Sequence, residues 1–256
     1  MQNLTVAVVQ QEIVPNNPQQ NLATFSQALG NLSNCDLIAL PEVFTTGFCA
    51  NARNFAEAVD GTAYTWMADH AKKLNAVITG SLVVKERDAY FNRMVWMRPD
   101  GTYTHYDKRH LFRMGGEHMR YQCGTERIVV ELKGWRILPL VCYDLRFPVW
   151  SRNRNDYDLS IYVANWPSSR ALHWNRLLQA RAIENQAYVV GVNRVGMDEV
   201  HQHYVGDSAI YGPAGEVIIH SQEPGSFYAE LYGDKLLEYR EKFPAYMDAD
   251  DFELKY

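Results

Sequence analysis

The sequence predicts an α/β protein with mixed sheets, and two observations support this class. Short β-branched apolar runs alternate with longer amphipathic runs along the whole 256-residue chain, which is typical of strands interleaved with helices. Two strand pairs are joined by tight-turn sequences, Pro99-Asp100-Gly101 and Lys133-Gly134, so the sheets cannot be wholly parallel. Because no repeat or linker divides the chain, we expect one domain over residues 1–256, with a C-terminal tail from about residue 233.

The predicted elements follow one another in a regular order. The strands are LTVAVVQQ, CDLIALPE, AVITGSLVV, the hairpins YFNRMVWMRPDGTYTHYDK and RIVVELKGWRILPLVCYD, then LSIYVANWP, AYVVGVNRVG, SAIYGPAGEVIIH and GSFYAELY. The helices are NPQQNLATFSQALGNLS, TAYTWMADHAKKLN, RALHWNRLLQARAIENQ and the start of the tail. Pro18 suits the first turn of the first helix. The third helix is predicted to bury an apolar side formed by Leu172, Leu177, Leu178 and Ala182.

Net charge and cysteine content indicate which partners and which cellular compartment to expect. The formal net charge of −5 argues against nucleic acid and anionic membrane surfaces as general partners. No apolar stretch is long enough for a membrane span, and the N-terminus lacks the basic region of a signal peptide. The four cysteines, Cys35, Cys49, Cys123 and Cys142, show no metal-binding spacing and no disulfide framework. We therefore expect a cytoplasmic protein with reduced thiols.

Cys142 is the first candidate for chemistry. It ends the apolar run ILPLV and is followed directly by YDLRFP, in which Pro148 is compatible with the first turn of a helix. A cysteine on such a strand-to-helix elbow lies near free backbone N–H groups, which lower a thiol pKa and stabilise an oxyanion. Burial as a small core residue is an equally ordinary role for cysteine, so the interpretation depends on partners.

Three charged residues are candidate partners of Cys142. Glu42 follows a strand and Pro41 in LIALPEVF, at the kind of strand end where α/β sheets collect site residues. Lys108, in YDKRHLF, ends a later strand, and Glu117 follows two glycines in MGGEHMRYQCG. Each of them, taken alone, is also compatible with a solvated loop.

Glu42, Lys108 and Cys142, in this order along the chain, resemble the catalytic set of the nitrilase, or carbon–nitrogen hydrolase, superfamily. PEVFTTGF is similar to its glutamate motif, YDKRHLF to its lysine motif, CYDLRFP to its cysteine motif and EHMRYQCG to the segment of its second glutamate. NWPSSRALHWNRLLQARAIEN and GDSAIYGPAGEV resemble two further blocks. The resemblance therefore covers nearly the whole chain.

The resemblance implies a four-layer α-β-β-α sandwich, commonly paired as a homodimer or higher homo-oligomer, and a thiol amidohydrolase without cofactor. Glu42 is then the general base, Cys142 the nucleophile, and Lys108 with the Tyr143 N–H the oxyanion donors. Glu117 is implied to position either the substrate or the lysine. Aromatic side chains near the motifs, including Phe44, Phe48 and Trp166, are expected to wall a compact substrate pocket.

Arg146 is the residue that indicates a class of substrate. It lies about one helical turn after Cys142, and a guanidinium there can bind a carboxylate through two hydrogen bonds. Pairing with Asp144 or with a dimer neighbour is the competing role. CYDLRFP and RAIEN are most similar to the omega-amidase branch, which hydrolyses monoamides of dicarboxylic acids such as 2-oxoglutaramate, 2-oxosuccinamate and succinamate.

Other functions stay open at this point. Val149 stands where many members have a glutamate and Asp207 where a histidine is common, which puts the branch in doubt more than the chemistry. Nitrilase, N-carbamoyl amidohydrolase and deaminated glutathione amidase are the alternatives within the superfamily. A Cys/His hydrolase using His110 or His118, a metal site at His201 and His203, and a non-catalytic binding member are less favoured.

Overall fold

The computed structural model describes residues 1–254 and contains fifteen strands and five α-helices in those residues. The strands are β1 (Leu4–Gln10), β2 (Leu37–Ala39), β3 (Glu57–Ala58), β4 (Val77–Glu86), β5 (Ala89–Met97), β6 (Tyr103–Asp107), β7 (Val130–Leu132), β8 (Trp135–Val141), β9 (Leu159–Val163), β10 (Tyr188–Val192), β11 (Val195–Met197), β12 (His203–Val205), β13 (Ser208–Tyr211), β14 (Val217–Ser221) and β15 (Gly225–Leu231). The helices are α1 (Pro18–Leu29), α2 (Thr62–Leu74), α3 (Pro148–Ser151), α4 (Ala171–Asn185) and α5 (Gly233–Lys242).

Two mixed sheets form the centre of the molecule. The first sheet has the strand order β15-β1-β2-β4-β5-β6, with β3 paired to β4, and the second has the order β14-β13-β10-β9-β8-β7. In the first sheet β1, β2 and β4 are parallel and β3 pairs with β4 in parallel, and in the second β8, β9 and β10 are parallel. The remaining strand pairs are antiparallel. Strands β11 and β12 form a separate hairpin.

Alternation along β1 shows how the layers stack. Val6 and Val8 pack into a core that also contains Ile137, Ile161 and other residues of the second sheet. The intervening Ala7 and Val9 pack into another core, together with Phe25 of α1 and Met67 of α2. Since successive side chains of a strand point to opposite faces, the first sheet lies between the second sheet and the helices α1 and α2.

Both predicted hairpins are confirmed. Strands β5 and β6 pair across the turn at Pro99-Asp100-Gly101, where Asp100 accepts a hydrogen bond from the Thr102 N–H at 2.9 Å. Strands β7 and β8 pair across Lys133-Gly134, whose φ angles are 51° and 82°. Two successive positive φ angles are the mark of a type I′ turn, whose twist matches that of the flanking strands.

The apolar side predicted for α4 is only partly correct. Leu178 and Ala182 are buried, together with Trp174, but Leu172 is 66% exposed. The buried positions Trp174, Leu178 and Ala182 recur every four residues, and Leu172 lies about 120° from Leu178 around the helix, so its side chain points to solvent. Helix α5 confirms a helical start to the tail, and Arg240 is buried there, donating to Asp158 at 2.7 Å. The last two residues of the predicted tail lie outside the described residues.

The parallel strands position the site. Glu42 follows β2 of the first sheet, while Cys142 and Asn165 follow the neighbouring strands β8 and β9 of the second, so all three lie beyond the carboxyl ends of parallel strands. This edge is where α/β sheets commonly bind ligands, because several loops converge there. Within residues 1–254, no helix is both long enough and apolar enough to cross a membrane.

Candidate active site

A cavity of about 380 Å³ opens between the loops at this edge. Its wall is formed by both sheets: Glu42, Lys108 and Phe48 come from the first half of the chain, and Cys142, Arg146 and Trp166 from the second. The volume falls in the range of roughly 300–1,000 Å³ that is usual for small-molecule sites. The sequence-predicted residues are thus brought to one place from distant parts of the chain.

Lys108 lies at the centre of a buried charge cluster. Its Nζ donates to Glu42 Oε1 at 2.8 Å and to the two oxygens of Glu117 at 3.0 and 2.9 Å. None of the three side chains is more than 1% exposed. A lone buried charge is very costly, so two carboxylates around one ammonium are stable only because each is held by several hydrogen bonds.

Asn92 supplies part of that support and was not predicted from the sequence. Its Nδ2 donates to Glu42 Oε1 at 2.8 Å and to Glu117 Oε1 at 3.2 Å, bridging the two carboxylates. Asn92 lies within β5, where nothing in the local pattern distinguishes it from a strand residue. Its role arises from the β5–β6 pairing, which brings it beside Lys108.

Asn165 is a second residue that sequence reasoning missed. Its backbone N–H donates to Glu42 Oε2 at 2.8 Å and its side-chain amide donates to the Glu42 carbonyl. It follows β9 at the carboxyl end of a parallel strand, which is the one signal that would have identified it. Asn165 therefore joins the second sheet to the base in the first.

Glu117 is placed behind Lys108 rather than at the cavity. Besides contacting the ammonium, its Oε2 accepts the Phe112 N–H at 2.6 Å. Glu117 is fully buried and does not belong to the cavity wall. Of the two roles implied by the resemblance, this geometry favours positioning of Lys108 over contact with substrate.

Cys142 occupies the elbow that the sequence indicated. It begins a 3₁₀ helix, Cys142–Arg146, directly after β8, and its φ of 44° lies in the left-handed region. Such a conformation is unfavourable for a residue with a Cβ and is typical of functional sites. The N–H groups of the first turn, including that of Tyr143, have no helical acceptor, and Tyr143 itself lines the cavity.

Asp144 fixes the elbow from behind. Its Oδ2 accepts the Val141 N–H at 3.0 Å and the Tyr106 hydroxyl at 2.8 Å, while its Oδ1 accepts the His110 N–H at 2.9 Å and lies 2.8 Å from His110 Nδ1. The carboxylate is fully buried. Because Tyr106 and His110 flank Lys108 in the chain, Asp144 ties the nucleophile loop to the lysine loop.

The thiol of Cys142 differs in one respect from the expectation. The sequence predicts that the N–H groups of the elbow lower the pKa of this thiol. Instead, burial raises the pKa of Cys142 well above its usual value, and the nearby charges of Glu42 and Glu117 and a hydrogen bond with Glu42 raise it further. The ammonium of Lys108 opposes this shift. For Lys108, burial disfavours the ammonium, yet Glu117 and Glu42 raise its pKa well above the ordinary range. Both shifts favour the protonated forms of the Cys142 thiol and the Lys108 amine.

Arg146 lines the same cavity as Glu42, Lys108 and Cys142. Its guanidinium lies 4.8 Å from the centre of the Trp166 ring, and its Nη2 is 3.0 Å from His173 Nδ1. The expected competing partner, Asp144, is occupied by its own donors. Trp166 is 3% exposed and is held by a hydrogen bond from its Nε1 to the Arg170 carbonyl at 2.8 Å.

Phe44 is not at the cavity, contrary to the prediction that it walls the pocket. It is fully buried between the first sheet and its helices, 5.4 Å from the Phe25 ring and 5.7 Å from Trp66. Gly80 makes room for it, since a Cβ there would lie 3.1 Å from the Phe44 ring. Val43, with a φ of 40°, breaks the alternation, so Glu42 and Phe44 face different layers.

Phe48, by contrast, is at the cavity as predicted. It lines the cavity and its ring lies 5.6 Å from Lys108 Nζ. The cavity is also lined by Asp198 and Glu199, in the loop between β11 and β12, and by Tyr204 of β12, none of which the sequence indicated. His201 and His203 are exposed in that hairpin region, and among residues 1–254 no cluster of three or more potential ligands suits a metal.

Known proteins resemble the chain along its whole length. The carbon-nitrogen hydrolase family model matches residues 5–233. The omega-amidase YafV of Escherichia coli K12 is 50% identical over 256 residues, which cover 99% of this chain and 100% of that protein. The 2-oxoglutaramate amidase of Bacillus subtilis is 32% identical, over 95% of this chain and 96% of that protein.

A solved structure matches equally well. A carbon–nitrogen hydrolase superfamily protein from Xanthomonas campestris, with an arsenic adduct in its active site, superimposes with a TM-score of 0.98 at 44% identity, over 100% of both chains. The α-β-β-α sandwich predicted from the motifs is thereby confirmed. The chain belongs to the carbon–nitrogen hydrolase family and is a hydrolase that acts on carbon–nitrogen bonds.

Proposed function

We propose that this protein is an omega-amidase, which releases ammonia from the terminal amide of dicarboxylic acid monoamides such as 2-oxoglutaramate, 2-oxosuccinamate and succinamate. One observation carries the proposal: a Glu–Lys–Cys cluster and Arg146 line the same cavity. The cluster supplies the chemistry for an amide at one end, and the arginine supplies a partner for a carboxylate at the other. The relatives named as omega-amidase and 2-oxoglutaramate amidase support the same substrate class.

The attack begins from a neutral thiol. Glu42 accepts the Cys142 proton as the sulfur bonds to the amide carbon, so a free thiolate need not accumulate. The oxygen of the substrate becomes an oxyanion, which the Lys108 ammonium and the Tyr143 N–H stabilise. Protonated Glu42 then passes its proton to the amide nitrogen, the carbon–nitrogen bond breaks, and ammonia leaves a thioester on Cys142.

Hydrolysis of the thioester uses the same groups in reverse. Glu42 takes a proton from water while the water oxygen attacks the thioester carbon, and the oxyanion forms at the same donors. The carbon–sulfur bond then breaks, the sulfur recovers its proton from Glu42, and the acid is released. Asn92, Asn165 and Lys108 hold Glu42 in one orientation for both half-reactions, which is the benefit of a preorganised base.

Ammonia release from a panel of substrates tests the proposal. Purified protein should act on 2-oxoglutaramate and succinamate far faster than on glutamine, a simple nitrile or N-carbamoyl-β-alanine. Intact-mass spectrometry after mixing with succinamate should show a succinyl adduct that is absent from Cys142→Ala. Preference for the nitrile or the carbamoyl compound would show that the protein belongs to another branch of the superfamily. Undiminished turnover by Cys142→Ala would refute the mechanism.

We also propose that Arg146 binds the substrate carboxylate. Arg146→Ala should lower kcat/KM for succinamate by about 10- to 100-fold, the usual effect of losing a charged hydrogen-bonding partner. Butyramide, in which a methyl group replaces the carboxylate, should lose much less. An equal fall in kcat/KM for succinamate and butyramide would show that Arg146 does not bind the carboxylate.

A homodimer is proposed on the basis of the outer surface of α4. Leu172 and Ile183 are 66% and 51% exposed and lie about three turns apart on one side of the helix. Exposed large apolar side chains on one helix face, here separated by Arg176 and Gln179, are candidate contacts of an interface. Ile183→Asp should convert a dimer to a monomer in light scattering coupled to size-exclusion chromatography, whereas a wild-type monomer would contradict the proposal.

A cytoplasmic location is proposed from the chemistry of the nucleophile. Cys35, Cys49, Cys123 and Cys142 are all free thiols, and catalysis through Cys142 requires its reduced form. Reducing compartments maintain that form. Cell fractionation should recover the protein with the cytoplasmic markers, and enrichment with another compartment would contradict the location.

A further inference from the structure

We infer that His173 is a positioning residue that orients Arg146 toward the cavity and thereby sets the affinity for the carboxylate of the substrate. The inference rests on the proposed function and deepens it. His173 Nδ1 lies 3.0 Å from Arg146 Nη2, while His173 itself is not part of the cavity wall. Its effect on the substrate would therefore pass entirely through Arg146.

The chemistry of this pair defines the form of His173. An arginine side chain has only donors, so in the Arg146–His173 hydrogen bond the imidazole nitrogen must be the acceptor. Nδ1 can accept only when the ring is neutral and its proton is on Nε2. The contact thus needs one tautomer, and it uses one of the five N–H groups of Arg146, leaving the others to meet a carboxylate.

The supports of Arg146 act from two directions. The Trp166 ring supports the guanidinium on one side, with Arg146 Cζ 4.8 Å from the ring centre, but this contact alone does not fix the rotation of the guanidinium. The hydrogen bond to His173 restricts that rotation. Together they determine which edge of the guanidinium faces the cavity, and edge orientation is what two-point recognition of a carboxylate requires.

His173 is itself held in place by the first turn of α4. Its neighbour Trp174 is fully buried, packs 5.5 Å from Trp166 and donates from Nε1 to the Asp207 carbonyl at 2.8 Å. The platform under Arg146 and the helix that carries His173 are therefore one packed unit. Among the described residues, His173 is the one side chain that forms a hydrogen bond with Arg146.

Two substitutions of His173 separate positioning from structure. Leucine retains the size but has a methyl group where Nδ1 lies, whereas asparagine places an acceptor oxygen at that point. His173→Leu should raise KM for succinamate about fivefold to tenfold, the effect expected from one lost hydrogen bond and a freed side chain, with kcat nearly unchanged. His173→Asn should restore KM to within about twofold of the wild-type value.

Butyramide and Arg146→Ala complete the experiment. His173→Leu should not change kcat/KM for butyramide, and in the Arg146→Ala background it should have no further effect on succinamate. Equal behaviour of His173→Leu and His173→Asn, or parallel losses on both amides, would overturn the positioning role. If Arg146→Ala itself shows no selectivity for the carboxylate, the proposed function fails instead, so the two failures are distinguishable.

Discussion

The site has an enclosed side, formed by Glu42, Lys108 and Glu117, and a more open side, formed by Cys142 and Arg146. The enclosed side chains are at most 1% exposed, and Lys108 holds both carboxylates through hydrogen bonds. Cys142 and Arg146 are partly exposed to the cavity. A buried cluster of this kind keeps a base and an ammonium in a constant geometry. Discrimination between substrates then falls to the more open side.

The largest effect should come from removing the nucleophile on the open side. Cys142→Ala should reduce ammonia release from succinamate on the order of 10⁴-fold or more, because no thioester can form. The exposed Cys123 is the matched control, and Cys123→Ala should retain wild-type kcat. Comparable losses in the two variants would show that thiol replacement, rather than loss of the nucleophile, inactivates the enzyme.

Glu42→Gln should have the next largest effect, on the enclosed side. Loss of the general base should lower kcat by about 10²- to 10⁴-fold. The same change removes a negative charge that raises the Cys142 pKa, so that pKa should fall and the pH midpoint of iodoacetamide alkylation should move downward. The variant would thus react faster with iodoacetamide at neutral pH while hydrolysing amides more slowly.

Glu184→Gln, at a partly exposed ion pair on α4, is the control for that experiment and should leave both rates unchanged. A slower alkylation in Glu42→Gln, with the midpoint moved upward, would mean that Glu42 favours the thiolate. The neutral-thiol starting state would then be wrong.

Asp144→Asn tests the connection between the two sides. Its four hydrogen bonds reach both the elbow and the residues around Lys108, and asparagine offers only one acceptor oxygen. The free energy of unfolding, measured by urea denaturation, should fall by about 2–4 kcal/mol. Asp156→Asn, at the partly exposed pair with Arg127, should cost less than about 1 kcal/mol. Similar costs at both positions would argue against a special role for Asp144.

Trp166→Phe should have the smallest effect. A smaller ring without an N–H weakens the support under Arg146 and loses the hydrogen bond to the Arg170 carbonyl. KM for succinamate should rise about threefold, in line with a modest cation–π energy, and kcat should change little. A fall in kcat at constant KM would place Trp166 in the chemistry instead.

The two sides also differ in how far the sequence predicted them. Glu42 and Cys142 each follow an apolar parallel strand, so the strand pattern alone places them at one edge of the sheets. Lys108 follows the second strand of a hairpin, and the turn of that hairpin is predicted from Pro99-Asp100-Gly101. These residues lie at element ends, where position along the chain is closely related to position in space.

The missed residues depend on contacts between elements. Asn92 is functional only because β5 pairs with β6 beside Lys108, and Asn165 acts largely through a backbone N–H that any residue type would carry. Phe44 and Phe48 lie in the same loop, and the left-handed Val43 with the space above Gly80 decides which one is buried. Leu172 is apolar, but it lies about 120° around α4 from the buried Leu178, so residue type alone placed it wrongly on the packed side.

The most direct test of the division between the two sides is the selectivity ratio, kcat/KM for succinamate divided by kcat/KM for butyramide. Glu42→Gln should lower both rates together and leave the ratio as in wild type, because the enclosed cluster acts on the amide alone. Arg146→Ala should lower the ratio by about tenfold or more, because it loses the carboxylate partner. A changed ratio in Glu42→Gln, or an unchanged one in Arg146→Ala, would contradict the division of chemistry and recognition.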